Sequence, residues 1–172
     1  MKVVFLDRDG VINKEIGYLY KSKEFRFIDG IFEACKHFQS LGYKLIIVTN
    51  QSGIARGYYQ EEDFLSLTKW MLAQFNNQDI HILDVFFCPH GPKSTCNCRK
   101  PQPGMFLKAR DKYGIDMENS WVIGDKESDI GAANSAGVIN TIIVKSGHRV
   151  DGISTKAKFI SKSIKESIHV IT

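Results

Sequence analysis

Residues 3–10 read Val-Val-Phe-Leu-Asp-Arg-Asp-Gly, an apolar run that ends in two acids on either side of an arginine. Four consecutive apolar residues are typical of a strand buried on both faces, and the glycine lets the chain turn directly afterwards. In an open parallel sheet, ligands bind at the carboxyl ends of the strands. Asp7 and Asp9 would lie at such an end, where one carboxylate can be a nucleophile and the other can transfer protons. Taken alone, these residues also fit a strand that ends in a polar turn.

Short apolar runs alternate with amphipathic segments of helical length along the rest of the chain. We predict strands over 2–6, 44–48, 84–87, 120–123, 140–144 and 157–160, and helices near 29–41, 61–76, 103–113 and 127–136. Gly42, Gly114 and Gly137 fall where helices should end. This alternation predicts an α/β fold: a doubly wound, mainly parallel sheet with helices on both faces, in a single domain over 1–172. Residues 11–28 show no clean period; a flap over the mouth of the sheet is one reading, and we expect an ordinary surface loop.

The composition indicates a globular protein with a substantial core. The chain has 172 residues, of which 43% are hydrophobic and 24% charged, and its net charge is +4. No apolar run is long enough to span a bilayer, and the chain begins directly with a strand-like segment. We therefore expect a cytoplasmic protein without a signal peptide or membrane association, and a monomer. The mild, scattered positive charge does not favour nucleic acid but suits a small anionic substrate.

Polar side chains follow four of the predicted strands. Strand 44–48 leads into Thr49-Asn50-Gln51-Ser52-Gly53, and strand 120–123 leads into Gly124-Asp125-Lys126, with Asp129 one turn later. Strand 84–87 leads through a cysteine-rich loop to Arg99-Lys100. Each set alone fits a polar turn or a helix cap. Because parallel strands end at one edge of a sheet, the sets together predict a site that binds Mg²⁺ and a phosphate group.

Three of the four cysteines crowd around one histidine. Cys88, His90, Cys96 and Cys98 supply three thiolates and one imidazole, a closed tetrahedral set typical of structural Zn²⁺. Clustered thiols in a chain with no export signal favour a metal over disulfides, and free cysteines in a loop are the alternative. Such a zinc ion would hold the following Lys100 in place. The remaining cysteine, in a helical pattern, is predicted to be a small buried apolar residue.

In the polar residues that follow its predicted strands, the sequence resembles the haloacid dehalogenase (HAD) superfamily of phosphohydrolases. The matching pieces stand in the family's order: Asp7-Arg8-Asp9-Gly10, Thr49, Lys100 and Gly124-Asp125-Lys126-Glu127-Ser128-Asp129. The resemblance spans nearly the whole chain, and it implies a HAD-like Rossmannoid sheet and an aspartyl-phosphate mechanism. The insertions are too short for a large cap domain.

The resemblance also implies a role for each matching residue. Asp7 would be the nucleophile, and Asp9 would protonate the leaving oxygen and then accept a proton from water. Thr49 and Lys100 would bind the oxygens of the transferring phosphoryl group. Mg²⁺ would be held by Asp7, Asp125 and the main-chain carbonyl of Asp9. Asp129 would support these groups from behind.

Longer segments resemble the zinc-loop branch of D-glycero-D-manno-heptose 1,7-bisphosphate 7-phosphatases, which serve heptose metabolism and lipopolysaccharide biosynthesis. These segments are 17–18, 27–30, 49–57, 100–105 and 124–126. The match implies that the chain removes the 7-phosphate, with substrate contacts from Glu15, Ile16, Gly17, Tyr18, Asn50, Gln51, Ser52, Arg99 and Lys126. Only five residues separate His90 from Cys96. That short loop resembles the branch of histidinol-phosphate phosphatases, which is the alternative substrate class.

Two other classes of protein fit part of the pattern. A receiver-type signalling module also places acids, a threonine and a lysine at strand ends, and it accepts a phosphoryl group without being an enzyme. Its acidic pair is normally adjacent, whereas Arg8 separates Asp7 from Asp9. A zinc-bearing nucleic-acid module would need a concentrated basic face, which the sequence does not show.

Overall fold

One sheet of six parallel strands forms the centre of the protein, described here by a computed structural model for residues 1–150 and 154–172. The strands are β1 (Val3–Leu6), β2 (Lys44–Asn50), β3 (Ile82–Cys88), β4 (Trp121–Gly124), β5 (Asn140–Val144) and β6 (Phe159–Ser161). The helices are α1 (Ile31–Ser40), α2 (Glu61–Asn76), α3 (Gly104–Tyr113) and α4 (Glu127–Ser135), with short 3₁₀ helices at Ser22–Glu24 and Ile164–His169. The strand order is β3-β2-β1-β4-β5-β6, and every pairing is parallel. The predicted doubly wound α/β fold is confirmed.

Strand β1 lies between β2 and β4 and is completely buried. Its side chains alternate between two hydrophobic cores: Val4 and Leu6 point into one, and Val3 and Phe5 point into the other. This is why the strand reads as a continuous apolar run, because both of its faces are covered by helices. The first acid, Asp7, follows directly at the end of this buried strand.

The four helices divide between the two faces of the sheet. Side chains of α1 and α2 pack in the core that contains Val4 and Leu6, and side chains of α3 and α4 pack in the other core. Helix α2 begins at a capping box in which the Gln60 backbone N–H donates to the Asp63 carboxylate at 2.8 Å. Helix α3 ends at Gly114, whose φ of 61° lies in the left-handed region that terminates helices.

Residues 11–28 differ from the surface loop that the sequence led us to expect. Five of their apolar side chains are buried in the core, namely Val11, Ile12, Leu19, Phe25 and Ile28. Phe25 packs edge-on against Trp70 of α2, with ring centroids 5.3 Å apart. The partners of these side chains are distant in sequence, so the segment needs no local period. The tip of the segment, residues 16–18, is exposed, as are residues 14, 21–24 and 26.

The described part of the chain contains no helix that is both long and apolar enough to cross a membrane.

Candidate active site

The carboxyl ends of the central strands bring Asp7, Lys100 and Asp129 into direct contact. The Lys100 Nζ atom lies 2.9 Å from Asp7 Oδ1 and 2.6 Å from Asp129 Oδ1. It also donates to the Val48 carbonyl oxygen at 2.9 Å. All three charged residues are buried, with 8%, 4% and 2% of Asp7, Lys100 and Asp129 exposed. The lysine that follows the cysteine-rich loop is therefore seated at the end of β1.

Asp125 completes a cluster of three acids at this position. It follows β4 and is fully buried. Its Oδ2 atom accepts a hydrogen bond from the His148 backbone N–H at 3.0 Å and lies 2.6 Å from His148 Nδ1. Its Oδ1 atom is buried and has no hydrogen-bond partner among the residues the structure describes. One carboxylate oxygen from each of Asp7, Asp125 and Asp129 lies within 4.8 Å of the others.

Two glycines allow the backbone to approach Asp125 this closely. A Cβ atom at Gly10 would lie 2.3 Å from Asp125 Oδ2, and one at Gly147 would lie 2.1 Å from the same atom. Gly10 also has a φ of 90°, which L side chains rarely adopt. The hydroxyl of Ser146 donates to the Gly10 carbonyl oxygen at 2.8 Å and ties the two loops together.

The acid cluster carries more negative charge than Lys100 can balance. Burial raises the pKa of Asp7 well above its ordinary value; Lys100 opposes this shift, and Asp129 and Asp125 add to it. Burial, assisted by Asp129, raises the pKa of Asp125 to about 6. Burial alone would lower the pKa of Lys100, but Asp129 and Asp7 raise it above its usual range. Buried carboxylate oxygens, including the Asp125 Oδ1 to which no residue in the described part of the chain donates, are the donor set that a hard divalent cation such as Mg²⁺ prefers.

The carboxylate of Asp9 belongs to a separate hydrogen-bond network. Arg8 Nη2 contacts both of its oxygens at 3.0 Å, Asn13 Nδ2 donates to Oδ1 at 3.0 Å, and Gln51 Nε2 donates to Oδ2 at 3.1 Å. Burial would raise the pKa of Asp9, but Arg8 and the hydrogen bonds from Asn13 and Gln51 outweigh it and lower the pKa. The two acids of the Asp-Arg-Asp run thus have opposite environments, with pKa values pushed in opposite directions.

A cleft of about 640 Å³ opens above these acids. Five of the nine substrate contacts predicted from sequence line it: Glu15, Asn50, Ser52, Arg99 and Lys126. Three others, Ile16, Gly17 and Tyr18, lie in the exposed tip next to Glu15. The ninth, Gln51, is buried beside Thr49, with 2% and 1% of these residues exposed.

The three clustered cysteines and His90 converge at the end of β3. Cys88 Sγ lies 3.7 Å from Cys96 Sγ and 3.4 Å from His90 Nδ1, and His90 Nδ1 lies 3.3 Å from Cys98 Sγ. A tetrahedral zinc ion with ordinary bond lengths would separate two sulfurs by about 3.8 Å and a sulfur from a nitrogen by about 3.5 Å. The Cys88–Cys98 separation of 2.8 Å is shorter than that edge. All four residues can offer one ligand atom to a common metal ion.

This cluster is linked to Lys100 through the backbone. Cys98 precedes Lys100 by two residues, and the Arg99 side chain donates to the His90 carbonyl oxygen at 3.2 Å. The Asn50 side chain accepts from the Lys100 backbone N–H at 3.1 Å and donates to its carbonyl oxygen at 3.2 Å. Asn50 therefore joins the end of β2 to the segment that carries the lysine.

Several proteins with sequences similar to this chain are phosphatases. A family model described as HAD-hydrolase-like matches residues 97–167. The chain is 50% identical over 151 residues to the D-glycero-beta-D-manno-heptose-1,7-bisphosphate 7-phosphatase of Vibrio cholerae, covering 84% of this chain and 81% of the relative. It is 52% identical over 143 residues to the D-glycero-alpha-D-manno-heptose-1,7-bisphosphate 7-phosphatase of Campylobacter jejuni, covering 83% and 82%. The chain belongs to the heptose-bisphosphate phosphatase family of HAD hydrolases.

The solved structures agree with this family. The D,D-heptose 1,7-bisphosphate phosphatase of B. bronchiseptica, crystallised with magnesium and phosphate, superposes with a TM-score of 0.88 at 28% identity, covering 99% of this chain and 98% of that one. The predicted membership of the HAD superfamily is confirmed, and the two non-phosphatase classes raised by the sequence are set aside.

Several residues of this HAD phosphatase site were missed from the sequence. His148 contacts Asp125 from the loop after β5, a position that only the polar run beyond that strand could have indicated. Arg8 and Asn13 hold Asp9, and both lie within the quoted run or three residues beyond it. Tyr59 donates to Gln51 from the segment before α2, and no periodicity or spacing marks it.

Proposed function

We propose that this phosphatase removes the 7-phosphate of D-glycero-D-manno-heptose 1,7-bisphosphate through an aspartyl-phosphate on Asp7. The observation that carries the proposal is the buried cluster of Asp7, Lys100 and Asp125 at the floor of a polar cleft, in a chain about half identical to heptose-bisphosphate phosphatases. In this proposal the whole chain, 1–172, acts as one domain.

Mg²⁺ fits the acid cluster, and we assign it to Asp7, Asp125 and the main-chain carbonyl of Asp9. The buried Asp125 Oδ1, to which no described residue donates, supports this assignment. Both oxygens of Asp129 are already engaged: Oδ1 pairs with Lys100, and Oδ2 accepts from the backbone N–H groups of Asp125 and Lys126. Asp129 therefore positions its neighbours. When bound, the cation neutralises charge, so that an anionic nucleophile can approach an anionic phosphate.

The chain's own residues then divide the reaction between them. Asp7 attacks phosphorus and is freed later by water. Asp9 gives a proton to the leaving oxygen and takes one from the attacking water. In the free protein its pKa is lowered, chiefly by Arg8 against the effect of burial, and the negative charge of a bound phosphate opposes this lowering. Thr49 and Lys100 hold oxygens of the transferring group, where charge is greatest.

We assign structural zinc to Cys88, His90, Cys96 and Cys98, because this closed set leaves no ligand position for chemistry. Arg99 and Lys126 line the cleft and suit the second phosphate of a bisphosphate sugar. The exposed residues Ile16, Gly17 and Tyr18 would meet the sugar only at the rim. We further propose that the protein is a cytoplasmic monomer.

Histidinol phosphate is the second candidate substrate. The short loop between His90 and Cys96 forms one wall of the cleft through Pro92, Ser94 and Thr95. A substrate in the cleft would contact this wall, so the length of the loop can alter selectivity for the substrate's size and charge.

The test compares phosphate release from the alpha and beta anomers of heptose 1,7-bisphosphate with release from histidinol phosphate. We expect a higher kcat/KM for heptose bisphosphate, with the sugar 1-phosphate as product. Faster turnover of histidinol phosphate would overturn the substrate and leave the reaction class intact. No turnover of any phosphate ester by folded, Mg²⁺-loaded protein would overturn both.

A further inference from the structure

The side chain of Gln51 joins two groups of the proposed reaction that lie on different strand ends. Its Nε2 atom donates to Asp9 Oδ2 at 3.1 Å and to Thr49 Oγ1 at 2.9 Å. The residue is 2% exposed, so these bonds are made away from solvent. The single carboxamide nitrogen therefore sets the distance between the acid that follows β1 and the hydroxyl that ends β2.

The orientation of this carboxamide is fixed from the other side by Tyr59. The Tyr59 hydroxyl lies 2.5 Å from Gln51 Oε1 and donates to it. With its oxygen occupied by a donor, the carboxamide has to present its nitrogen to Asp9 and Thr49. Tyr59 is itself held tightly: 4% of it is exposed, and its ring stacks on Tyr20 with centroids 5.3 Å apart. A Cβ atom at Gly53 would lie 2.2 Å from the Tyr59 ring, so only glycine admits the ring there.

The contact also determines what Thr49 can do. A hydroxyl that accepts a hydrogen bond from Gln51 keeps its own proton available for another acceptor. That proton is the part of Thr49 that can meet a phosphoryl oxygen. The same carboxamide gives Asp9 one of the hydrogen bonds that hold its carboxylate, together with Arg8 and Asn13.

We propose that Gln51 and Tyr59 are positioning residues of the phosphoryl-transfer step: Gln51 aligns Asp9 with Thr49, and Tyr59 acts only through Gln51. This inference deepens the proposed function and rests on it. It differs from the role that the family resemblance implies for Gln51, which is a direct contact with the sugar phosphate. Misplacing a catalytic group by about 1 Å costs roughly a hundredfold in rate, so a residue that touches no substrate can still control kcat.

The test measures kcat, KM and melting temperature for Gln51→Leu, Tyr59→Phe and the double variant, with heptose bisphosphate and para-nitrophenyl phosphate as substrates. Gln51→Leu removes both donors at similar size, and Tyr59→Phe removes one hydroxyl. We expect kcat to fall about 10- to 100-fold for Gln51→Leu and about 3- to 10-fold for Tyr59→Phe, with KM nearly unchanged. The double variant should be no slower than Gln51→Leu, because Tyr59 acts through that residue.

Tyr113→Phe is the matched control. It also removes one tyrosine hydroxyl bond, to Asp84 at 2.8 Å, but at the other end of β3. A kcat within twofold of wild type for Tyr59→Phe would overturn the positioning proposal. Tyr59→Phe is the milder change, so it keeps the proposal testable if Gln51→Leu does not fold. A rise in KM without a loss of kcat would also overturn it, since that result marks a substrate contact. The same holds if the kcat losses of the two single variants multiply in the double variant.

The two substrates separate this proposal from the proposed function. If wild type hydrolyses para-nitrophenyl phosphate but not heptose bisphosphate, the substrate assignment fails, and the positioning proposal is decided by the kcat values on the aryl ester. If wild type hydrolyses neither, both proposals fail.

Discussion

At the scale of single residues, the site separates two acids that are only one residue apart. Asp7 contacts Lys100 in a buried cluster of acids, whereas Asp9 is held by Arg8, Asn13 and Gln51. Burial raises the pKa of Asp7, whereas, against the effect of burial, Arg8 and the hydrogen bonds from Asn13 and Gln51 lower the pKa of Asp9. A bound cation at Asp7 and a bound phosphate near Asp9 would each oppose these shifts. Strand alternation would place residues 7 and 9 on the same side, but β1 ends at Leu6 and the chain bends at residue 8, so the two carboxylates part.

We predict that Asp7→Asn abolishes turnover and leaves the fold intact. The variant keeps the size of the side chain and loses the nucleophilic oxygen, so kcat should fall by at least about a thousandfold. Asp129 still pairs with Lys100, and one buried charge is gone, so the melting temperature should not fall. Phosphate release and thermal unfolding measure the two effects.

Asp111→Asn serves as the comparison, because Asp111 is exposed and, within residues 1–150 and 154–172, its ion pair is with Arg110 of its own helix. It should retain wild-type activity. A folded Asp7→Asn protein with substantial turnover would contradict the nucleophilic role.

The residues that strand ends expose were predictable from the sequence, whereas several of those that hold them were not. Asp7, Lys100 and Asp125 were located because each follows an apolar run or a recognisable loop. Tyr59 and His148 were not, because a hydrogen bond to a buried partner distant in sequence leaves no local pattern. That Asp125 Oδ1 has no partner among the described residues is likewise visible only in three dimensions.

At the scale of elements, the loop between β3 and α3 connects the cysteine cluster to the lysine. Three cysteines and His90 converge at its start, and Lys100 lies two residues after the last of them. A metal ion that binds such a loop can stabilise it in place of a hydrophobic core. The loop thus positions the buried ammonium group of Lys100 at the site without contributing a helix or strand.

We predict that Cys96→Ser loses the bound zinc and lowers kcat by about tenfold or more, because the Lys100 segment is no longer clamped. Metal analysis of the purified protein and phosphate release measure both effects. Cys35→Ala is the control, since Cys35 is buried in α1 away from this loop. This variant should keep one zinc ion per chain. A zinc-free Cys96→Ser protein that folds and retains full activity would refute the clamp.

The elements themselves were largely predictable, and the exception has a physical cause. Strands and helices appear where the apolar periods place them, although β2 and β3 extend to Asn50 and Cys88, beyond the predicted ends. Residues 11–28 bury Leu19 and Phe25 without any period, because their partners come from distant parts of the chain. Periodicity reports a regular element and is silent about an irregular segment that packs tightly.

At the scale of the whole molecule, the acid cluster makes stability depend on pH. The pKa of Asp125 is raised to about 6 in the folded protein, mainly by burial, against about 3.9 for an unfolded aspartate. Between these two values the folded state binds more protons than the unfolded state. The free energy of unfolding contributed by this group therefore falls as the pH rises from about 4 to about 6.

We predict that Asp125→Asn removes this dependence in chelator-treated protein. The difference in unfolding free energy between wild type and variant should change by on the order of 2 kcal/mol between pH 4 and 7, with wild type losing stability relative to the variant. Urea unfolding at a series of pH values measures it. Adding Mg²⁺ at pH 7 should stabilise wild type and have little effect on the variant. A pH-independent difference would contradict the burial argument.

The central position of β1 has a consequence for how this enzyme can change. Fraying begins at the borders of a sheet and at exposed loop tips, where opening costs little free energy. Asp7 continues β1, one of the two innermost strands, so we expect its backbone to open only together with the rest of the sheet, while residues 16–18 are exposed at the surface. Under the sugar contact proposed for that tip, mutations there can change substrate preference while Asp7 stays protected from their structural effects.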